Sequence, residues 1–289
     1  MEYCKVFNNI VDGTCKYLQN AGLESMILGI SGGLDSTVVA AIGQEVFKRT
    51  GIKLIGISMP TSTNKLDESI SADLTLEAFC NEAKEFSING VYQMMQDYVD
   101  SLNGNKSTNI SRGNIKARLR MMFLYDLASV NKGLVLDTDN MTEHNLGFWT
   151  IHGDVGDFNP IGGLWKSEVY KLAEWIRDNH CEKDSIEYSA LDKAIKLTPT
   201  DGNGVAEGGD MAQIAPGKTY EDVDKILKFI TSNPYRSPQD VDDFINNQLN
   251  GDSETYNRVL KRHLNSEFKR KQLPIKISRE DTFFTKISI

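Results

Sequence analysis

The sequence predicts an α/β fold, a doubly wound parallel sheet with helices on both faces. Two observations lead there. Three short apolar runs, at 26–30, 54–57 and 133–136, are each followed by a polar loop, at 31–36, 58–64 and 137–143. Between them, apolar residues recur at helical rather than alternating spacing. Strands separated by helix-length segments pair in parallel, with the helices packed on the sheet. Such sheets collect ligands beyond the carboxyl ends of their strands, so the three polar loops are expected to converge on one site.

The elements follow in order. The amino end, MEYCKVFNNIVDGTCKYLQN, is amphipathic and lacks the basic and apolar regions of a secretion signal. Residues 26–30, MILGI, form a strand that ends in a glycine-rich turn, and Val38, Val39, Ile42 and Val46 then mark a helix. Residues 54–57, LIGI, form the second strand. Residues 69–85 read as a helix with Leu74, Ala78 and Phe79 on one face, and 114–130 as a long helix carrying Ile115, Leu119, Met122 and Phe123. The run GLVL at 133–136 reads as a buried strand. Lys166 precedes a helix for which Ser167 is a good N-cap. Five glycines and two prolines between 198 and 217 suit either a surface linker or a segment that closes over a substrate. Residues 219–264 look helical, and the tail beyond turns basic, with Lys269, Arg270, Lys271 and Lys276.

Composition narrows the function classes. The 289 residues are expected to form a single domain over 1–289, with 32 Lys and Arg against 40 Asp and Glu and a net charge of −8. An acidic balance argues against nucleic acid as a partner, since phosphate backbones need clustered cations. No apolar run approaches the roughly 20 residues that span a bilayer, so no membrane association is expected. Cys4, Cys15, Cys80 and Cys181 are scattered, as are His144, His152, His180 and His263, which fits neither a zinc site nor a disulfide framework. Reduced thiols and a cytoplasmic location follow as the expectation.

The chemistry concentrates in Gly29-Ile30-Ser31-Gly32-Gly33-Leu34-Asp35-Ser36, between a predicted strand and a predicted helix. Gly32 and Gly33 let the backbone approach a ligand closely, and the N–H groups opening the helix favour an anion. Ser31 and Ser36 add hydroxyl donors. Asp35 suits such a site when it holds a divalent metal that bridges phosphates. No lysine follows the glycines, so this is not the Walker pattern.

Residues 31–36, SGGLDS, resemble the PP-loop of the N-type ATP pyrophosphatases, which cleave ATP between its α- and β-phosphates. Three further strings resemble one family within that class, the NAD synthetases. They are GNIKARLRM at 113–121, DTDNMTE at 137–143 followed by GFWT and GD, and PIGGLWK at 160–166. The resemblance runs from about residue 20 to the tail. It implies an adenine nucleotide α-hydrolase-like fold and ATP-dependent amidation of deamido-NAD⁺ by ammonia through an acyl-adenylate, releasing AMP and pyrophosphate. It implies ATP contacts from Gly29, Ser31, Gly32, Gly33, Asp35, Ser36, Thr138, Lys166 and Thr200, and Mg²⁺ ligation by Asp35 and Glu143. Arg118, Asp157 and Lys269 would contact deamido-NAD⁺ in a pocket across the interface of a homodimer. No side-chain nucleophile is expected. The PP-loop starts at residue 31, which leaves no room before it for the amidase domain of glutamine-using relatives, so the ammonia-dependent form is expected.

Taken alone, these residues also have plainer readings. Arg118 and Arg120 could be solvated or ion-paired, Glu143 could cap a turn, Asp157 could be a turn residue, and Lys269 belongs to a basic run. The sequence departs from the family pattern at Asp137 (usually Gly), Ile151 (often Lys) and Phe268 (often His), and 153–160 is one residue short. Another PP-loop adenylating enzyme, or a non-catalytic nucleotide-binding protein on this fold, is the alternative.

Overall fold

Among the described residues, four strands form one parallel sheet. The computed structural model describes residues 2–198, 211 and 214–271. Helix α1 (Tyr3–Asn20) leads into β1 (Ser25–Gly29), then α2 (Leu34–Thr50), β2 (Lys53–Ser58), α3 (Leu66–Phe79) and β3 (Glu82–Glu85). Helices α4 (Asn89–Asn103) and α5 (Asn109–Val130) precede β4 (Gly133–Val135). Among the described residues the remaining elements are the helices α6 (Met141–Leu146), α7 (Lys166–His180), α8 (Ile186–Lys196), α9 (Tyr220–Ser232), α10 (Pro238–Gln248), α11 (Ser253–Asn265) and α12 (Glu267–Arg270).

Side chains alternate across the sheet because successive residues of a strand face opposite ways. Met26, Leu28, Leu134 and Leu136 join Val11, Val39, Leu172 and Leu191, so α1, α2, α7 and α8 cover one face. Ile27, Ile55, Ile57 and Val135 pack with Leu119, Met121 and Leu124 of α5 on the other. A third cluster lies beside the sheet, where Leu146 of α6 meets Val223, Ile226 and Leu227 of α9 and Tyr256 and Val259 of α11.

One element differs from its sequence reading. The helix expected over 69–85 ends at Phe79, and Glu82–Glu85 is a strand. Cys80 turns extended (φ −92°, ψ 137°), and Asn81 locks onto Leu54, accepting from its N–H at 2.8 Å and donating to its carbonyl at 2.9 Å. The EAKE composition favours a helix, but pairing with β2 overrides it, and the charged side chains suit an exposed edge.

The strand order places the site. From β1 the chain builds outward through β2 and β3, then returns to set β4 on the other flank of β1. The strand order thus reverses between β1 and β4, and the carboxyl ends of these two strands mark the switch point where such sheets bind ligands.

Candidate active site

A cavity of about 620 Å³ opens at this switch point. Its wall includes Gly29 to Ser36, Ser58 to Pro60, Thr138, Asp139, Glu143, Asp154 and Lys166, with Arg262 and Lys269 closing the far side. The loops after β1, β2 and β4 thus converge as their positions predicted.

The glycine-rich turn is fixed by local bonds. Gly32 takes φ 81°, and a Cβ there would sit 2.1 Å from the Glu68 carbonyl oxygen, so a side chain fits neither the conformation nor the space. The Gly33 N–H donates to the Ser31 hydroxyl at 3.2 Å, the Ser31 and Ser36 hydroxyls lie 3.1 Å apart, and the Ser36 hydroxyl donates to the Gly33 carbonyl at 3.0 Å. The turn is a pre-formed cradle at the start of α2, where N–H groups and the helix dipole favour phosphate.

Lys166 lies at the centre of the charges. Its amine donates to Asp35 Oδ2 and, at 3.1 Å, to Glu143 Oε1, and the residue is 3 % exposed. Burial alone would push this amine down, but Asp35 and Glu143 outweigh it and hold it well above its usual value. Asn140, fully buried, joins the two carboxylates. Its Nδ2 donates to Asp35 Oδ1 at 3.0 Å, while its Oδ1 caps α6 by accepting from Thr142 and Glu143 N–H at 3.1 Å each. Glu143 answers by accepting from the Asn140 N–H at 3.3 Å, completing a capping box.

Asp35 and Glu143 already share one cation, and as hard carboxylates they fit Mg²⁺, which takes one or two such ligands together with water and phosphate oxygens. Among the described residues no group of three or more His, Cys, Asp and Glu side chains is arranged to hold a metal by itself. A metal here would depend on the nucleotide to complete its shell.

Beyond β4 the cavity floor is acidic. Burial raises the Asp137 carboxyl, and burial together with Asp137, Glu143 and Asp154 raises Asp139 well above the carboxylate range. Burial pushes Asp154 up to about 6. The sequence marked Asp154 only as part of the GD string, and nothing local indicated its burial. Lys269, from α12, reaches back to donate to the carbonyls of Gly147, at 2.7 Å, and Trp149. Arg262 and Arg270 take the Leu146 and Asn145 carbonyls at 2.7 Å each, so three cations cap the end of α6.

Two expected acceptor contacts lie elsewhere. Arg118 is exposed on α5, donates to the Ile151 carbonyl at 3.2 Å, and does not line the cavity. Asp157 accepts from Tyr125 Oη and from the Val135 N–H, each at 3.0 Å, so it secures the end of β4 from outside the cavity. Arg120, two residues on from Arg118, does face the cavity, with its Nε donating to the Met59 carbonyl at 3.1 Å. Thr200 lies outside the described residues.

The start of α7 also departs from expectation. Its N-cap position is Trp165 and its first residue Lys166, so Ser167 does not cap it. The leading N–H groups find their acceptors on other elements, described below.

A family model described as NAD synthase matches residues 6–273. The chain belongs to the NAD synthase family. Within it, the chain is 31% identical over 231 residues to an NH(3)-dependent NAD(+) synthetase of Methanococcoides burtonii, covering 79% of this chain and 80% of that one. It is 31% identical over 179 residues to the Campylobacter jejuni NH(3)-dependent NAD(+) synthetase, covering 61% of this chain and 69% of the relative. The fold matches the solved NMN synthetase of Francisella tularensis with TM-score 0.74 at 23% identity, over 97% of this chain and 100% of that one. It matches the Campylobacter jejuni enzyme structure with TM-score 0.71 at 24% identity, over 96% and 100%. The parallel sheet with helices on both faces is therefore that of the NAD synthases. Among the described residues no helix is long and apolar enough to cross a membrane.

Proposed function

We propose that this chain is a ligase that amidates deamido-NAD⁺ with ammonia, consuming ATP through an acyl-adenylate and releasing AMP and pyrophosphate. The observation that carries the reading is the Lys166 amine held between Asp35 and Glu143 beside the glycine-rich turn. A carboxylate oxygen is a poor leaving group, so the nicotinate carboxylate must first be activated by attack on the ATP α-phosphate. The departing pyrophosphate needs positive charge held in place, which the turn's N–H groups and Lys166 would supply. Mg²⁺, held by Asp35 and Glu143, would neutralise charge on the same phosphates. Ser31, Ser36 and Thr138 line the same wall and would hold the nucleotide in place, and Thr200 remains a proposed contact.

Ammonia then attacks the acyl-adenylate. The nitrogen gains positive charge as it bonds to carbon, and Asp154, with its carboxyl near 6, is basic enough to take the surplus proton and ionised enough to be ready. The chemistry asks for positioning and charge, not for a side-chain nucleophile.

The acceptor residues imply a homodimer. Arg118, Met122 and Tyr125 share one exposed face of α5, and Asp157 bonds to Tyr125. Tyr98 and Leu102 of α4, the helix packed against α5, are exposed as well, so the two helices together offer an apolar surface that a second copy would cover, bringing Arg118 and Asp157 to a shared acceptor pocket. We read residues 1–289 as one cytoplasmic catalytic unit; Leu34 and Leu136 of the first cluster, Ile57 and Met121 of the second, and Phe148, which packs against the third, all line the same cavity.

The test is AMP and pyrophosphate release from ATP with Mg²⁺ and ammonia, with and without deamido-NAD⁺, while NAD⁺ is quantified. Release that requires the dinucleotide and equals NAD⁺ formed supports the reading. A second acceptor belongs in the same assay. Arg118 bonds to the carbonyl of Ile151, where the family pattern often has lysine, and Phe268 lines the cavity in place of a frequent histidine. These departures at the expected dinucleotide pocket make nicotinic acid mononucleotide the comparison acceptor, and a higher kcat/KM for it would move the proposed acceptor to that side.

A further inference from the structure

Helix α7 has one local bond at its start, the Trp165 N–H to Glu168 Oε2 at 3.0 Å, while its first two N–H groups are held from other elements. The Ser167 N–H donates to Asp224 Oδ2 at 2.9 Å. The Lys166 N–H donates to the Thr142 hydroxyl at 2.8 Å, and that hydroxyl donates to Asp224 Oδ1 at 2.5 Å. Asp224 is 2 % exposed and Thr142 1 % exposed. Three elements meet in this bridge: α6, which carries Glu143, α7, which starts with Lys166, and α9, which carries Asp224. Helix α9 also meets the other end of the lysine, whose amine lies 5.7 Å from the centre of the Tyr220 ring.

The arrangement is more specific than an ordinary cap requires. A serine at the N-cap would accept locally from the second or third N–H of the helix and leave that of Lys166 unmet. Here a carboxylate 57 residues distant accepts from the Ser167 N–H, and it grips the start of the helix at the residue whose side chain enters the cavity. A shift of α7 along its axis would move the lysine amine relative to Asp35 and Glu143 by the same amount. We propose that Asp224, directly and through Thr142, is a positioning residue that fixes where the Lys166 amine meets the ATP phosphates. The inference rests on the reading that Lys166 contacts ATP.

Outer residues that orient an ion-binding group are worth about 10- to 100-fold in affinity or activity. ATP affinity, measured by titration calorimetry with Mg²⁺ present, reports on the bridge without any acceptor, and AMP release with deamido-NAD⁺ reports on the reaction. Asp224→Asn and Thr142→Val are expected to weaken ATP binding about tenfold, with Thr142→Ser returning it to within about twofold of wild type. In a Lys166→Met background, adding Asp224→Asn is expected to change ATP affinity less than about twofold, because residues acting as one unit are not additive. Wild-type affinity in Asp224→Asn, or an equal loss with and without Lys166, would overturn the proposal. If Asp224→Asn does not fold, the Thr142 pair decides by the same criteria. A wild-type protein that binds ATP but turns over no nicotinate acceptor would sink the proposed reaction and leave the affinity comparison to judge the bridge. One that binds no ATP would overturn both.

Discussion

Asp154 shows how position alone changes the basicity of an ordinary side chain. It accepts the Thr150 N–H at 2.5 Å, and burial raises its carboxyl to about 6. As the proposed proton acceptor for ammonia, it should impose an acid limb on the reaction. At constant free ammonia, the rate should fall as pH drops through about 6, where the carboxylate takes up its proton. Asp154→Asn should lower kcat by roughly 10²-fold, within the usual range for a lost general base, and flatten that limb. A limb that survives the substitution would assign it to another group. The residue stood inside a recognisable string, but its burial depends on the segment after α6 folding back over the sheet. That could not be read from neighbours in sequence.

Among the elements, α6 and the turn before α2 depend most on single residues. Asn140→Ala would remove the acceptor that caps α6 and leave Asp35 and two N–H groups without their partner. Loss of the cap and the orphaned groups should cost about 2 kcal/mol, read as a lower urea midpoint at unchanged slope, together with slower AMP release. Gly32→Ala should be worse for function than its size suggests. It forces φ 81° on a side-chain-bearing residue and drives a Cβ into the Glu68 carbonyl. The strain should cost about 2–3 kcal/mol and displace the cradle, so ATP binding should fail in protein that still folds. Circular dichroism beside ATP titration checks both.

The same scale shows where sequence reading succeeded and where it did not. Residues 26–30, 54–57 and 133–136 announced themselves as strands because each is buried on both faces and so is apolar throughout. Glu82–Glu85 did not, because an exposed edge strand is defined by its partner and not by its composition. The glycine-rich turn, Glu143 and Lys166 were legible from short strings, and the structure brings them within bonding distance. Asp224 was not legible, since its bond to Thr142 spans 82 residues. Arg118 and Asp157 were named from their strings, but which side of α5 they occupy depends on packing that the strings do not encode.

At the scale of the whole molecule, the described residues proposed to hold the nucleotide line one cavity, whereas Arg118 and Asp157 lie on the outer side of α5. This division predicts separable effects. The wild-type protein should sediment as a dimer. Met122→Glu combined with Leu102→Glu should yield a monomer whose KM for the acceptor rises at least about tenfold while ATP affinity stays within about twofold, since the ATP groups belong to one subunit. A monomeric variant with an unchanged acceptor KM would confine the acceptor to a single chain.

The acidic floor has a consequence for anyone trying to toughen this protein. A carboxyl raised in the folded state favours folding only while protonated, so whatever stability Asp154 gives is complete below about pH 4 and gone above its folded value near 6. At pH 7–8 the charge is a burden on the fold, and replacing it by asparagine should raise stability by on the order of 2 kcal/mol. Selection for heat resistance alone would therefore favour Asp154→Asn early, and each such success should be a weaker catalyst. A screen that reads melting temperature and product together would reveal the floor as the place where the two gains exclude one another.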